Sequence, residues 1–579
     1  MKRLFSHLKE YRLECVLAPL FKMLEASFEL TIPLVVASLI DKGIASKDMK
    51  HVYSCIGLMI LFGVVGLISS CTAQFFSAKA ATGFSSKLRE DLFSHLMSLS
   101  FKEIDSIGSS TMITRMTSDV NQAQTGVNMF LRLFLRSPFV VLGAMIMAFT
   151  IDVKSALIFV YVILILSGVV FFIMKTNIPM LKSVQGKLDT LLMHTRENLT
   201  GVRVIRAFCK EEDEVNTFIN RNNELVSSQL ISGRVSGALN PVTYVIVNLG
   251  IVCLVYTGAI RVDSGIITQG EVIALYNYMS QILVELIKLA NLIITLNKAL
   301  ASAGRISDVF KITNSQELVE NAAISEGAKN SSEDFVVEFK DVSLKYHDGS
   351  DEAIEHVSFS VKKGQIIGVI GGTGSGKSSL VSLIPRFYDA TSGDVFVNGK
   401  NVNSYDIKEL RRKIGIVMQK AVLFKGDIKF NLSFGNDNAS DEEIIEASSL
   451  AMASDVIEKK DGLLGLIEQG GKNLSGGQRQ RLTIARALVK KPEILILDDS
   501  ASALDFATEK ALNKNIRSLP YKPTTFIVTQ RASSVLDADK IIVLEDGNVA
   551  GIGTNEELLK TCEVYREIYN TQFEEESYE

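Results

Sequence analysis

The run IIGVIGGTGSGKSS, residues 366–379, decides the reading of this chain. Residues 366–370 are apolar and rich in β-branched side chains, as a buried strand requires. SLVSLI, 379–384, reads as the start of a helix. Between them lies the pattern G-x-x-x-x-G-K-[ST], a P-loop in the strand–loop–helix context that gives it meaning. Its glycines let main-chain N–H groups close on a phosphate chain, and the helix N-terminus adds partial positive charge. Gly371, Gly372, Thr373, Gly374, Ser375 and Gly376 form that loop, with Lys377, Ser378 and Ser379 after it. Lys377 is expected to reach the β- and γ-phosphates and Ser378 to bind Mg²⁺. The segment binds a nucleoside triphosphate.

A chain of 579 residues divides into several domains, and a net charge of −4 offers no basic field for nucleic acid. Hydrophobic residues make up 47% and concentrate before about residue 305. The six cysteines (15, 55, 71, 209, 253 and 562) are scattered, which fits neither a disulfide framework nor a zinc site. The opening MKRLFSHLKEYR is amphipathic, lacks a cleavable signal pattern, and reads as a helix on a membrane surface.

Crossing a bilayer takes about 20 mainly apolar residues. Six stretches qualify: 14–40, 52–76, 130–150, 155–174, 239–260 and 272–294. Their connections alternate between short (41–51, 151–154, 261–271) and long (77–129, 175–238). The long ones carry Lys79, Lys87, Arg89, Lys102, Arg115, Lys182, Arg196, Arg203, Arg206 and Arg221, so the positive-inside rule makes them cytoplasmic, with both termini. Lys42, Lys47 and Lys50 weaken that bias without reversing it. The long connections have helical periodicity, as in KLREDLFSHLMSL, and are expected to extend the spans as rods.

Ionisable residues inside spans mark pathways by default. Glu25 and Glu29, i,i+4 on one helix, and Glu285 are candidates to receive a cationic substrate. Two alternatives stand beside this. Glu285 and Lys288 neutralise each other, or Arg132 and Arg136 snorkel to headgroups. Met145, Met147 and Met279, with Phe149, Tyr244, Tyr276 and Tyr278, either line an adaptable pocket or serve ordinary helix packing.

Residues 311–334 are polar and read as a linker. FVVEFKDVSLKY then alternates as a strand ending at Tyr346, and strands and helices interleave to about residue 560, an α/β pattern. The apolar run 494–497 (ILIL) ends in Asp498, a carboxylate at a strand end placed to hold Mg²⁺ through water. LSGGQRQRL, 474–482, puts Ser475, Gly476, Gly477 and Gln478 at the start of a helix, a second anion-binding surface. Whether the two surfaces meet on one nucleotide or on two is open from these residues alone.

LSGGQ, joined to the P-loop and to the strand ending in Asp498, resembles the half-transporters of the ATP-binding cassette exporter family over nearly the whole chain. The resemblance implies a six-span all-α transmembrane domain (1–310) and an α/β P-loop nucleotide-binding domain (335–579), joined by a 311–334 linker. It makes Gln419 the glutamine that links Mg²⁺ to the membrane part, and Tyr346 the adenine-stacking ring. SALD, 502–505, becomes the loop crossing the dimer. The segments 109–122 and 197–208 resemble those carrying the coupling helices. Two halves are then expected to pair head to tail, each ATP lying between one P-loop and the other chain's LSGGQ.

The chain departs from the family pattern at two positions. Active halves have Glu after the Walker B aspartate and His in the switch loop; here LDDSASALD and IVTQRAS place Asp499 and Gln530 there. Asp is one methylene shorter than Glu, and Gln cannot carry a proton or a charge. Slow hydrolysis at this chain's own site is expected, beside an intact LSGGQ lent to a different partner holding the usual Glu and His. The C-terminal YREIYNTQF also resembles such heterodimeric exporters. The expected function is an ATP-driven, multi-pass exporter subunit in the cell membrane moving small amphipathic compounds of multidrug type. Lipid or peptide export is the neighbouring reading, and an ATP-gated channel or regulatory protein the rival from another class. The lack of a peptidase-like segment before the first span speaks against a processing peptide exporter.

Overall fold

A computed structural model describes residues 2–316, 335–347 and 349–575. The chain forms two compact units, Met1–Met97 with Ser109–Ile312, and Ser98–Gly108 with Thr313–Glu579. Most of the expected linker, 317–334, lies outside the described residues.

Among the described residues, six helices are long and apolar enough to cross a membrane: His7–Ile44, Met49–Ser98, Ser109–Ile151, Val153–Thr200, Glu211–Asp263 and Gln269–Lys311. Each contains one expected span, and the middle helices run on as rods; the 50 residues of Met49–Ser98 reach about 75 Å at 1.5 Å per residue. Buried small residues let the helices approach closely, with Ala26, Ala144, Ala156 and Ala274 fully covered. Tyr278, also fully buried, donates its hydroxyl to the Leu30 carbonyl at 2.7 Å. Tyr278 and Met279 are therefore packing residues of this core, whereas Tyr244 and Tyr276 are exposed in the single chain.

Two helix junctions are pinned by side-chain caps. Asp152 accepts from the Ser155 amide (2.9 Å) at the start of the fourth helix and pairs with Arg261. Asp41 accepts from the Gly270 amide (2.9 Å) and the Thr268 hydroxyl (2.5 Å), where Thr268 and Glu271 form a capping box.

The third helix is broken. It runs Val120–Leu133, turns, and resumes as Arg136–Ile151. Pro138 explains the break, since it has no N–H and its ring opposes the carbonyl four residues back, at Phe134. Arg136 starts the second piece and is only 6% exposed.

The second unit is built on a six-stranded sheet. Its order is Asn548–Gly553, Lys540–Glu545, Ile366–Gly371, Thr524–Thr529, Ile494–Asp498, Ile414–Val417. The first pair is antiparallel and every other neighbour parallel. Strands buried on both faces read as unbroken apolar runs, which is why IIGVI and ILIL stand out in the sequence. A second, antiparallel sheet holds Phe335–Leu344 between Ile354–Lys362 and Ser392–Val397. The helix after the P-loop, Lys377–Ser382, is short, with Pro385 three residues beyond it.

Candidate functional site

Parallel register brings the carboxyl ends of three strands together. Ile370 lies opposite Thr529, and Val528 opposite Asp498, so Gly371, Asp498 and Gln530 emerge at one edge. A crevice at the strand ends of such a sheet is where ligands of α/β folds sit.

The pocket there has a volume of about 320 Å³. Thr373, Gly374, Gly376, Lys377, Ser378 and Ser379 line one side. Tyr346, Gln419, Asp498, Asp499 and Gln530 complete it. Gly376 is left-handed (φ +92°), and a Cβ on it would meet the Ala353 carbonyl at 2.4 Å, so only glycine fits that turn. Gly371, Gly372 and Ser375 cradle the lysine, whose amine donates to the Gly371 carbonyl (2.9 Å), the Gly372 carbonyl (2.6 Å) and Ser375 Oγ (3.3 Å). Burial lowers the Lys377 pKa, while Asp499 and Asp498 act to raise it.

Ser378 Oγ donates to Asp498 Oδ1 at 2.8 Å. Burial, followed by the neighbouring Asp499, pushes the Asp498 carboxyl above its ordinary value, against the Ser378 hydrogen bond. A buried carboxylate and hydroxyl in contact form a hard-oxygen donor set that fits Mg²⁺. Asp499 stands in the left-handed region (φ 45°), its carboxylate accepting from Gln419 Nε2 at 3.4 Å. Across the pocket Thr373 Oγ1 donates to Gln530 Oε1 at 3.4 Å. Tyr346 shares a hydrogen bond with Ser379 Oγ (2.8 Å) and meets Tyr388 edge-on.

Ser475, Gly476, Gly477 and Gln478 lie elsewhere, around a pocket of about 580 Å³ with Arg481 and Asp505. Among the described residues, none lines both pockets. Ser475 caps the helix Gly476–Val489 in a capping box with Gln478. A Cβ on Gly477 would stand 2.9 Å from the Ala503 carbonyl oxygen.

Gln480, only 5% exposed, joins the two pockets and was not singled out by the sequence. Its Nε2 donates to the Asp499 carbonyl (3.4 Å) and Ser502 Oγ (3.3 Å), and its Oε1 accepts from the Ala503 amide (3.1 Å). A buried amide on an otherwise apolar helix face is the signal that could have found it.

The segment Ser98–Gly108 belongs to the second unit. Its helix Phe101–Ile107 packs Phe101 on Phe387, ring centroids 4.5 Å apart, and Asp105 accepts the Tyr388 hydroxyl at 2.5 Å. The segment 109–122, which the resemblance singled out, follows this helix in the chain. In the other long connection, the short helix Val202–Ala207 lies inside the expected segment.

In the first unit, six ionisable residues of the spans form one cluster. Arg136 donates to Glu285 (2.5 Å) and Glu29 (2.6 Å) and approaches Glu25 at 4.0 Å. Lys288 pairs with Glu285 (2.8 Å) and Lys22 with Glu25 (2.6 Å). Arg136 does not snorkel, and Glu285 is neutralised by Arg136 as well as by Lys288. Three carboxylates face three cations.

Family comparisons agree with this arrangement. The ABC transporter transmembrane region profile matches residues 15–286, and the ABC transporter profile matches 354–502. The "Uncharacterized ABC transporter ATP-binding protein YfiB" of Bacillus subtilis is 36% identical, covering all of both chains. The chain belongs to the ABC transporter family. It is an exporter half-transporter that binds ATP and couples ATPase activity to transport, with membrane and ATP-binding domains in one polypeptide. As a half-transporter it works with a second half. The "Putative multidrug export ATP-binding/permease protein YgaD" of B. subtilis is 29% identical over 99% of each chain. In fold the half-transporter is similar to a bacterial Atm1-family ABC exporter with ATP bound, at a TM-score of 0.80 and 22% identity, covering 97% of this chain and 98% of that one.

Proposed function

We propose that the half-transporter pairs with a different ABC chain in the cell membrane and exports amphipathic compounds. In this reading its own site holds ATP and hydrolyses it slowly. The carrying observation is the position of Asp499 and Gln530 in the P-loop pocket, where hydrolysis needs a base and a γ-phosphate ligand. The missing methylene shortens the reach of Asp499 by about 1.5 Å, and a misplacement of about 1 Å costs on the order of 10²-fold. The Asp499 carboxylate is also engaged by Gln419.

Lys377 and the loop amides hold the phosphates, Tyr346 the base, and Gln530 the γ-phosphate. Ser378, Gln419 and Asp498 hold Mg²⁺, which would neutralise phosphate charge. The separate linings of the two pockets favour head-to-tail pairing, in which Ser475, Gly476, Gly477 and Gln478 complete the partner's catalytic site. ATP binding then closes the cassettes on each other, and the long helices transmit the closure to the membrane bundle. ATP retained at this chain's site biases the equilibrium towards the closed state. Both termini and the ATP-binding domain lie on the cytoplasmic side by the positive-inside rule. The name of the relative YgaD supports multidrug-type substrates.

The test is reconstitution with the co-purified partner in inverted vesicles. Uphill accumulation of an amphipathic dye is expected, with ATP rather than ADP retained at this chain's P-loop. Gly477→Ala, which places a Cβ against the Ala503 carbonyl, should abolish most of the dimer's ATPase activity. Downhill-only flux would favour a gated channel, and full ATPase activity in Gly477→Ala would exclude head-to-tail pairing.

A further inference from the structure

The loop that presents Gln530 to the nucleotide pocket is held from outside by the C-terminal helix. The C-terminal helix Glu563–Glu575 is fastened to the ATP-binding core by Tyr565, fully buried, with Ile568 and Tyr569 packed beside it. Positions 565, 568 and 572 repeat at i, i+3 and i+7, so Gln572 falls on the same anchored face. Its Nε2 donates to the Gln530 carbonyl at 2.8 Å, and its Oε1 accepts from the Ala532 amide at 2.8 Å.

A carboxamide offers a donor and an acceptor side by side, which is what a carbonyl and an amide two residues apart demand. Flipping it would break both bonds. The intervening Arg531 is fixed from the other side, pairing with Glu509 at 3.1 Å, and Glu509 also takes the Ser534 hydroxyl. The loop is thus clamped between two helices, and its one side chain in the pocket is Gln530.

We propose that Gln572 is a positioning residue for nucleotide recognition: it brackets the main chain around Arg531 and so aims Gln530 at the terminal phosphate of ATP. This rests on the reading of Gln530 as the γ-phosphate ligand, proposed above. Through Gln530, Gln572 sets how strongly the site prefers ATP over ADP, without touching nucleotide itself.

The experiment measures displacement of a fluorescent nucleotide from the full-length chain in nanodiscs by ATPγS and by ADP. The readout is the ratio of the two affinities in a double-mutant cycle. Gln572→Met keeps length and bulk but removes both hydrogen bonds, and should lower the ATPγS:ADP preference about fivefold. Gln572→Glu keeps the acceptor for Ala532 but sets a second acceptor against the Gln530 carbonyl, and should lower the preference as well. In a Gln530→Ala background, Gln572→Met should have no further effect. Thermal unfolding of each variant identifies any that fails to fold, and the Gln572→Glu variant then carries the test. If Gln530→Ala lowers the preference and neither Gln572 variant does, the positioning role is overturned. If Gln572→Met acts equally in both backgrounds, Gln572 is merely structural. If Gln530→Ala itself changes nothing, the γ-phosphate role of Gln530 fails, and the inference fails with it.

Discussion

Arg136 Nη1 donates to Glu285 Oε1 at 2.5 Å, tying the broken third helix to the sixth inside the bundle. Pro138 interrupts the hydrogen-bond ladder two residues beyond Arg136, while the backbone at Phe134 and Leu135 stays right-handed helical. A cationic substrate arriving here would find the three carboxylates already matched by Lys22, Arg136 and Lys288. The cluster therefore acts first as a tie between helices.

Removing one member of such a buried pair strands the other. Arg136→Met should destabilise the solubilised protein by about 3 kcal/mol. The charge-balanced double variant Arg136→Met with Glu285→Met should recover at least half of that. Thermal unfolding of these two variants and of Glu285→Met alone in detergent checks it; additive losses would show that the pair is not coupled.

Asp498 gives a prediction of opposite sign. Its folded pKa lies above the ordinary 3.8, mainly through burial. The favourable contribution is therefore complete below the unfolded value and lost as pH rises through the folded one. At neutral pH the ionised group is a cost, so Asp498→Asn, which keeps the acceptor for Ser378, should raise the nucleotide-free melting midpoint by about 2 °C at pH 7. The same change should remove the Mg²⁺-dependent part of stabilisation by ATP, read by melting with and without chelator.

Restoring the two family residues tests whether geometry limits the site. Asp499→Glu with Gln530→His should raise ATP turnover by the dimer at least severalfold when the partner's own P-loop is inactivated. Unchanged turnover would place the limit elsewhere.

The Tyr388 hydroxyl on Asp105 predicts uncoupling. Burial, then Asp105, raises the Tyr388 pKa, so the phenol remains a donor well into the alkaline range. Tyr388→Phe should lower transport per ATP hydrolysed severalfold while leaving nucleotide affinity unchanged, measured in reconstituted vesicles. An equal fall in hydrolysis and transport would argue against it.

The spans and the stretches lining the two pockets were legible because each depends on local composition, whether twenty apolar residues or a glycine-rich turn at the start of a helix. Arg136 was harder. Its span is apolar by composition, and no local pattern says that its guanidinium meets carboxylates of the first and sixth spans. Gln480 and Gln572 were harder still, because each works by meeting main-chain atoms distant in sequence. Gln572 reaches back 42 residues to Gln530, and no local pattern records that meeting. The packing of Phe101 and Asp105 on Phe387 and Tyr388 is likewise a tertiary fact that no local pattern records.

The disjoint linings of the two pockets have a genetic corollary under the head-to-tail pairing proposed above. A P-loop lesion and an LSGGQ lesion carried by the same polypeptide would spoil both composite sites, because each fault falls on a different one. Distributed so that this chain bears the P-loop fault and its companion the LSGGQ fault, both fall on the sluggish site and the productive one survives. Complementation between mutant alleles would thus depend on which polypeptide carries which defect, and counting lesions alone would mispredict the phenotype.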